Sequence, residues 1–496
     1  MTNPRLAQAT LSRAAANIAV PRYDRGRLTP GIVHIGVGGF HRAHQAAATE
    51  DCLDRGETGW GIVGAALRSG AIRDALAPQD FLYTLALRDS ASENLRIVGA
   101  IQDILVSARD PEPLLARMAD PATRIVSLTI TEKGYTTDLA TGEVLWDHPE
   151  VAGDLAGDEP PRTALGLLAA ALRRRHDARV APFTILSCDN LPNNGPMLRR
   201  SLIAFLDRRD RELSRSLERE LACPAAMVDR IAPATTDEDR RSISKAIGLE
   251  DAWPAVAEPF FQWVIEDRFS LGRPGWEASG AEFVADVAPF ERMKLRLLNG
   301  AHSALAAVGR VAGYDTVSRA IADPALRDFI RAYWREVIPT ISPAIDAEDY
   351  VRRLLVRFDN TALRHLTAQI ATDASQKIPQ RLLAPLRERR AAGARSPAMI
   401  FALAAWIRSC AGFDDSGAPL PLADPVFERW TGRPDQRHAS VDETVRAFLS
   451  FTPVFGGEAA SDAALAEDLR AALDDIRRFG IRPAMQRSTA QPPPQT

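Results

Sequence analysis

The sequence predicts an α/β fold, with a strand-and-helix N-terminal half and a mainly α-helical C-terminal half. Three observations carry that expectation. Near the start, the β-type run Gly31-Ile-Val-His-Ile-Gly36 breaks into the turn Val37-Gly38-Gly39-Phe40, and a helical pattern follows from about Ala43 to Arg55. From Pro289 to about Val311, the residues Phe290, Met293, Leu297, Leu298, Ala301, Leu305 and Val308 recur at three- and four-residue spacings, as on one face of a helix. Beyond Gly313 the same spacing marks helices over Asp323–Ile338, Tyr350–Phe358, Pro397–Ala411 and Ala463–Phe479, with loops at Asp424–Glu428 and Phe451–Gly456 between them. At 496 residues the chain exceeds one ordinary core. Two domains are expected, 1–286 and 287–496.

Strand, glycine turn and helix in that order open a doubly wound dinucleotide fold. Gly36 permits the tight turn, and Gly38, followed by Gly39 and Phe40, lets backbone approach a pyrophosphate. The helix N-terminus then offers N–H groups and a positive dipole end. Arg42 stands near where a third glycine belongs, so a plain strand–turn–helix fits equally well. A second strand spans Trp60–Leu67. An NAD site usually places an acid at that strand's end, against the ribose 2′-hydroxyl. Here Arg68-Ser69-Gly70 follows, with no carboxylate before Asp74. Arg68 and Ser69 suit a 2′-phosphate, whereas a solvated Arg68 with Ser69 on the ribose suits NAD; both remain open. Further strands are expected at Phe81–Leu87, Leu95–Val106, Arg124–Thr131 and Phe183–Cys188, with a helix at Thr163–Arg175. The stretch 81–106 reads as an antiparallel pair, which predicts a sheet that is not purely parallel. His41-x-x-His44 has the spacing of a metal pair, but no third ligand of matching character lies nearby, and no metal is expected.

Composition narrows the partners. A net charge of −3 gives no reason for a nucleic-acid or anionic-membrane partner. Cys52, Cys188, Cys223 and Cys410 lie far apart in no paired spacing, which points to a reducing compartment, and a cytoplasmic protein is expected. The longest near-continuous apolar run, Ala398–Ile407, is too short to span a bilayer. The first twenty residues read as a loosely attached helix and Gln491–Thr496 as a disordered tail.

The segment Lys294-Leu-Arg-Leu-Leu-Asn299-Gly-Ala-His302 carries the chemistry. At 100° per residue its three polar side chains fall within an arc of about 140° on an otherwise apolar helix. A lysine against an apolar wall loses solvation, so its pKa falls and it can accept a proton near neutrality. Asn299 can donate to an alkoxide-like oxygen and His302 can orient a hydroxyl. A snorkelling lysine beside two satisfied core polars fits the same pattern. Two strand ends add candidates, because ligands of open α/β sheets bind outside the carboxyl ends of strands. Asn190, after the strand Phe183–Cys188, can face the same oxygen as Asn299. Glu132, after Arg124–Thr131, can relay protons from a buried lysine. An Asx turn at Asn190 and a solvated loop at Glu132-Lys133 are the plain alternatives.

Six motifs in order carry a resemblance over nearly the whole chain. They are Gly36-Val-Gly-Gly-Phe-His-Arg-Ala-His44, Thr129-Ile-Thr-Glu-Lys-Gly-Tyr135, Ser187-Cys-Asp-Asn-Leu191, Met227-Val-Asp-Arg230, Glu258-Pro-Phe-Phe-Gln-Trp-Val-Ile-Glu-Asp267 and Lys294–His302. Together they resemble the polyol-specific long-chain dehydrogenases, the mannitol dehydrogenase family. The resemblance implies a Rossmann-type N-terminal domain, a mainly helical C-terminal domain, and a metal-free active site between them. It assigns Lys294 as general base, Asn190 and Asn299 as the oxyanion-holding pair, His302 as substrate-orienting, Glu132 as proton relay and Asp229 as an active-site aspartate. It also implies hydride transfer between a secondary carbon of a linear polyol or sugar acid and a nicotinamide, with NAD the expected cofactor and NADP the alternative. A monomer or weak homo-oligomer is expected.

Within that family the substrate reads as a sugar acid. Mannitol enzymes typically carry Glu-Gly-Gly-Tyr where this chain has Glu132-Lys133-Gly134-Tyr135, and an arginine where it has Gln369. The segment Leu363–Leu383 resembles D-mannonate oxidoreductases, also called fructuronate reductases. A uronate carboxylate needs a cationic partner, which Lys133, Arg364 or Lys377 can supply. Leu366, Ala368 and Ala374 depart from that pattern and leave mannitol, arabinitol or sorbitol as alternatives. A nucleotide-binding sensor and a phosphogluconate-type hydroxyacid dehydrogenase are the readings outside this family; the second lacks the basic cluster that a substrate phosphate requires.

Overall fold

The computed structural model describes residues 3–138, 141–362 and 364–490, apart from the side chains of Glu132 and Ala490; the tail Gln491–Thr496, Leu363 and the Glu132 side chain thus lie outside the described residues. The chain forms two compact units, Met1–Ala288 and Pro289–Thr496.

Among the described residues of the first unit lie eleven strands: β1 Ile32–Ile35, β2 Ile62–Ala66, β3 Tyr83–Arg88, β4 Glu93–Val98, β5 Ile101–Val106, β6 Ile125–Leu128, β7 Thr184–Ser187, β8 Ala226–Asp229, β9 Ala255–Ala257, β10 Gln262–Glu266 and β11 Ala281–Val284. The main sheet has the order β5-β2-β1-β6-β7, and every pairing in it is parallel. That is the Rossmann-type arrangement, with helices such as Gln45–Asp54 and Ala164–Asp177 between strands. A parallel sheet covered on both faces needs near-continuous apolar strands, and β1, β2, β6 and β7 supply them. The pleat sorts β1: Val33 and Ile35 join one core with Leu165, Leu168 and Phe205, while Ile32 joins the other with Leu53, Trp263 and Trp276.

The antiparallel pair around 81–106 is present, but not in this sheet. β3 and β4 pair antiparallel from Tyr83↔Val98 to Arg88↔Glu93, and β9 pairs parallel with β3 to make a separate three-stranded sheet. The expected single strand Leu95–Val106 breaks at Gly99-Ala100, where the Gly99 N–H donates to Glu50 and its carbonyl accepts from Arg25. A third sheet has the order β11-β10-β8, with β10 antiparallel to β8. The helix expected over Ala43–Arg55 is two helices, Gly39–Ala43 and Gln45–Asp54, divided at His44, whose φ of −120° and ψ of −92° leave the helical region. The N-terminal stretch is not loose. Its six-residue 3₁₀ helix Gln8–Arg13 is anchored by Leu6 N–H to the Glu250 carbonyl (2.9 Å) and Ala15 N–H to Ile247 (3.0 Å).

The second unit is helical. The expected helices occur as Pro324–Val337, Ala347–Phe358, Pro397–Ser409 and Ala463–Phe479, and Gly300–Val311 is buried along its whole length. The two expected loops each hold one helical turn, Pro425–Glu428 capped by Asp424 and Thr452–Phe455. Pro425 takes the first position of its turn and Pro453 the second of the other, both within the first turn where no intrahelical N–H is needed. Among the described residues, no helix is long and apolar enough to cross a membrane.

Candidate active site

In the first unit the site is built from strand ends. Gly36 leaves β1 with φ +99°, and a Cβ there would sit 2.1 Å from the Thr129 carbonyl, so only glycine fits. Around Gly38 and Gly39 the nearest atoms to such a Cβ are 4.0 Å away, so those two glycines leave open surface rather than a packed one. A cradle of this shape fits a dinucleotide's pyrophosphate. Beneath the turn lies a buried polar network that sequence reading missed. His34 Nε2 lies 2.8 Å from Thr129 Oγ1 and 3.1 Å from the Gly36 carbonyl, while its Nδ1 lies 2.8 Å from Ser127 Oγ. Ser127 in turn donates to Gln45 (2.7 Å), and the His41 ring stacks on His34 at 3.4 Å. Burial pushes His34 down to about 3, so the ring is neutral. The available signal was register: His34 on β1 and Ser127 on β6 face each other as polar residues in apolar strands.

Arg42, at the third-glycine position, turns inward. It is buried, donates to the Trp253 carbonyl and lies 5.2 Å over the Tyr83 ring, while the Tyr83 hydroxyl donates to its carbonyl (2.6 Å). His44 approaches the Gln262 carbonyl at 3.2 Å and stacks on Phe40. After β2, Arg68 and Ser69 are exposed, and Ser69 accepts from the Ala71 N–H (3.3 Å). Asp74 is bound by both Arg109 nitrogens at 3.0 and 2.6 Å, which holds its carboxyl below the usual range.

The loops after β6 and β7 are tied together by Asp189, which the sequence reading passed over for its neighbour Asn190. Its carboxylate accepts from the N–H groups of Ile130 (2.9 Å) and Thr131 (3.0 Å) and from the Tyr135 hydroxyl (2.7 Å). Thr131 sits at φ +61°, ψ 168°, a region populated almost solely by glycine. The Asp189 clamp holds that strained residue directly before Glu132. Asn190 is exposed beside the clamp, and Lys133 is exposed. Asn194, also missed, donates to the Asp189 and Ala226 carbonyls (3.1 and 2.7 Å) and joins this loop to β8, whose last residue is the buried Asp229. Because β1, β6 and β7 run parallel, the glycine turn, the Glu132 loop and Asn190 share one edge of the sheet.

In the second unit, Lys294 and His302 are each 7% exposed, and Asn299 is half-buried. The expected uninterrupted α-helix over 289–311 is corrected here: Lys294–Asn299 is π-helical, between α-helices Ala288–Met293 and Gly300–Val311. The Gly300 N–H bonds the Leu295 carbonyl, five residues back. An i→i+5 turn brings Lys294 and Asn299 closer to one face than 100° per residue does. Around His302 stand groups that sequence reading missed. His365 meets its ring edge-on at 4.7 Å and Phe358 packs at 4.8 Å. Burial, followed by the neighbouring His365, Arg357, Arg381 and Lys294, holds His302 well below its ordinary range, and among the described residues its Nε2 finds no hydrogen-bond partner. His365 is pushed down to about 4 by burial and Arg357. Of the expected carboxylate partners, Lys377 donates to the Ile370 and Thr372 carbonyls and Arg364 is exposed.

Residues 30–278 match the mannitol dehydrogenase Rossmann domain and residues 286–477 the mannitol dehydrogenase C-terminal domain. The chain belongs to the mannitol dehydrogenase family. It is therefore an oxidoreductase acting on CH–OH groups. A mannitol 2-dehydrogenase of Pyrenophora tritici-repentis is 41% identical over 94% of this chain and 82% of its own length. The D-mannonate oxidoreductase of Escherichia coli is 38% identical over 94% and 97%. Among solved structures, Pseudomonas fluorescens mannitol 2-dehydrogenase, a ternary complex with NAD and D-mannitol, superposes with a TM-score of 0.86 at 36% identity, covering 98% of this chain and all of that one.

Proposed function

We propose that this member of the mannitol dehydrogenase family is an NAD-dependent secondary-alcohol dehydrogenase that interconverts D-mannonate and D-fructuronate. The observation that carries the chemistry is the placement of a buried Lys294, a half-buried Asn299 and a buried, neutral His302 along one helix. A nicotinamide dinucleotide at the glycine turn supplies the hydride acceptor. Lys294 Nζ accepts the proton of the reacting hydroxyl, and in the reverse direction its ammonium returns it. Asn190 and Asn299 donate to the oxygen as negative charge builds there. Neutral His302 accepts from or donates to a neighbouring substrate hydroxyl through its unpartnered Nε2. Glu132, at the edge it shares with Asn190, relays the proton onward, and Asp229 contacts the substrate chain.

The sugar acid is favoured by charge. Arg357 and Arg381 both act on His302, and a carboxylate beside them gains charge-assisted hydrogen bonds that a neutral polyol cannot make. The likeness to a D-mannonate oxidoreductase is compatible with it. A second reading, oxidation of D-mannitol to D-fructose, is favoured by the fungal relative and by the D-mannitol complex. Specificity constants for D-mannonate, D-mannitol, D-arabinitol and D-sorbitol, each with NAD and NADP, separate them. A higher value for mannitol than for mannonate overturns the sugar acid, and a higher value with NADP overturns the cofactor.

A further inference from the structure

Two consecutive carbonyls inside the π-helical turn take side-chain donors from a neighbouring helix, Pro324–Val337. The Tyr333 hydroxyl donates to the Arg296 carbonyl (3.0 Å), and Trp334 Nε1 donates to Leu297 (2.9 Å). Tyr333 is fully buried, and its hydroxyl also reaches the Arg381 carbonyl (3.3 Å). Arg381 belongs to a second π-helical stretch, Pro379–Leu383, so one hydroxyl bridges two irregular turns. Gly300 makes the approach possible: a Cβ there would lie 2.1 Å from the Tyr333 oxygen and 3.0 Å from the Arg381 carbonyl. A widened turn departs from the regular ladder and persists where surrounding donors hold it.

Taking Lys294 as the base, as the proposed function does, we propose that Tyr333 and Trp334 are positioning residues: they lock the π-helical register that carries Lys294 and Asn299, through the gap at Gly300. Neither side chain is assigned contact with substrate or cofactor. Their effect passes through the helix backbone, so it falls on the chemical step and leaves binding largely intact.

The test compares Tyr333→Phe, Trp334→Phe, Gly300→Ala and Gly300→Ala/Tyr333→Phe with the parent, using whichever of D-mannonate and D-mannitol the parent turns over faster. Rates are expressed per folded site counted by NADH titration. The two aromatic variants are expected to lose about 10- to 100-fold in kcat with substrate KM within threefold of the parent. Gly300→Ala is expected to lose more, and Tyr333→Phe added to it to recover part of the loss, because the nearest atom to the new methyl is then no longer the phenolic oxygen. A purely structural role lowers the number of folded sites and leaves kcat per site unchanged. That result, or a double variant no better than Gly300→Ala, overturns the proposal. Lys294→Ala run alongside keeps the two ideas apart. Parent-like activity there sinks the assignment of the base, whereas its loss together with unaltered aromatic variants sinks only the register lock.

Discussion

Asn299 is half-buried on the π-turn, with two amide hydrogens to offer an oxygen that becomes charged only as hydride leaves. Removing one oxyanion donor typically costs about 2.7–4 kcal/mol of transition-state stabilisation. Asn299→Ala is accordingly expected to lower kcat by about 10²–10³-fold at saturating substrate, and an unchanged kcat counts against the role. Asp189 acts differently, through what it holds. Asp189→Asn converts one acceptor oxygen into a donor facing either the Ile130 or the Thr131 N–H group. With that acceptor lost, Thr131 relaxes out of its strained conformation. The expected result is a kcat lower by at least tenfold with NADH affinity retained; parent-like turnover rejects the clamp.

The glycine turn and the π-turn are the two elements on which the proposed site depends. Gly36→Ala places a methyl against the Thr129 carbonyl at a backbone angle that alanine rarely adopts. NADH binding followed by fluorescence is expected to weaken by at least tenfold, and an unaltered Kd contradicts the turn's assignment. The turn was legible because a β-type run, Gly36 and a helical pattern follow one another within 25 residues. The helix bearing Lys294 was legible because its apolar residues keep one period from Phe290 to Val308. Its π-turn was not, since the donors that hold it, Tyr333 and Trp334, stand more than thirty residues away. Nor was the sheet division, because β3 finds its second partner in β9, some 170 residues later. Asn190 and Asn299 stood out as amides within motifs, whereas Asp189 works by clamping the Ile130 and Thr131 backbone and Tyr135 by bonding Asp189, which residue type alone does not reveal.

At the scale of the whole molecule, burial of neutral imidazoles makes stability depend on pH. His34 and His365 are pushed down to about 3 and about 4, and His41 and His302 lie well below their ordinary range. From pH 6.5 down to about 4.5 the unfolded chain protonates these four groups while the folded chain largely does not, so stability falls with falling pH. Glu50 and Glu336, each raised to about 7 by burial, oppose this, since between pH 7 and 4.5 the folded chain holds protons that the unfolded one lacks. Four groups against two leave a net loss of stability as pH falls between 6 and 4.5. Thermal midpoints are expected to drop across that interval, and a flat profile contradicts the buried neutral imidazoles. The proposed activity turns on one amine. The most direct measurement is the rate of NADH formation from D-mannonate, or D-mannitol if that is the better substrate, by Lys294→Ala and by the parent. A loss of about 10²–10⁴-fold in kcat, partly restored by added primary amines, is the expected result. Turnover within tenfold of the parent contradicts it.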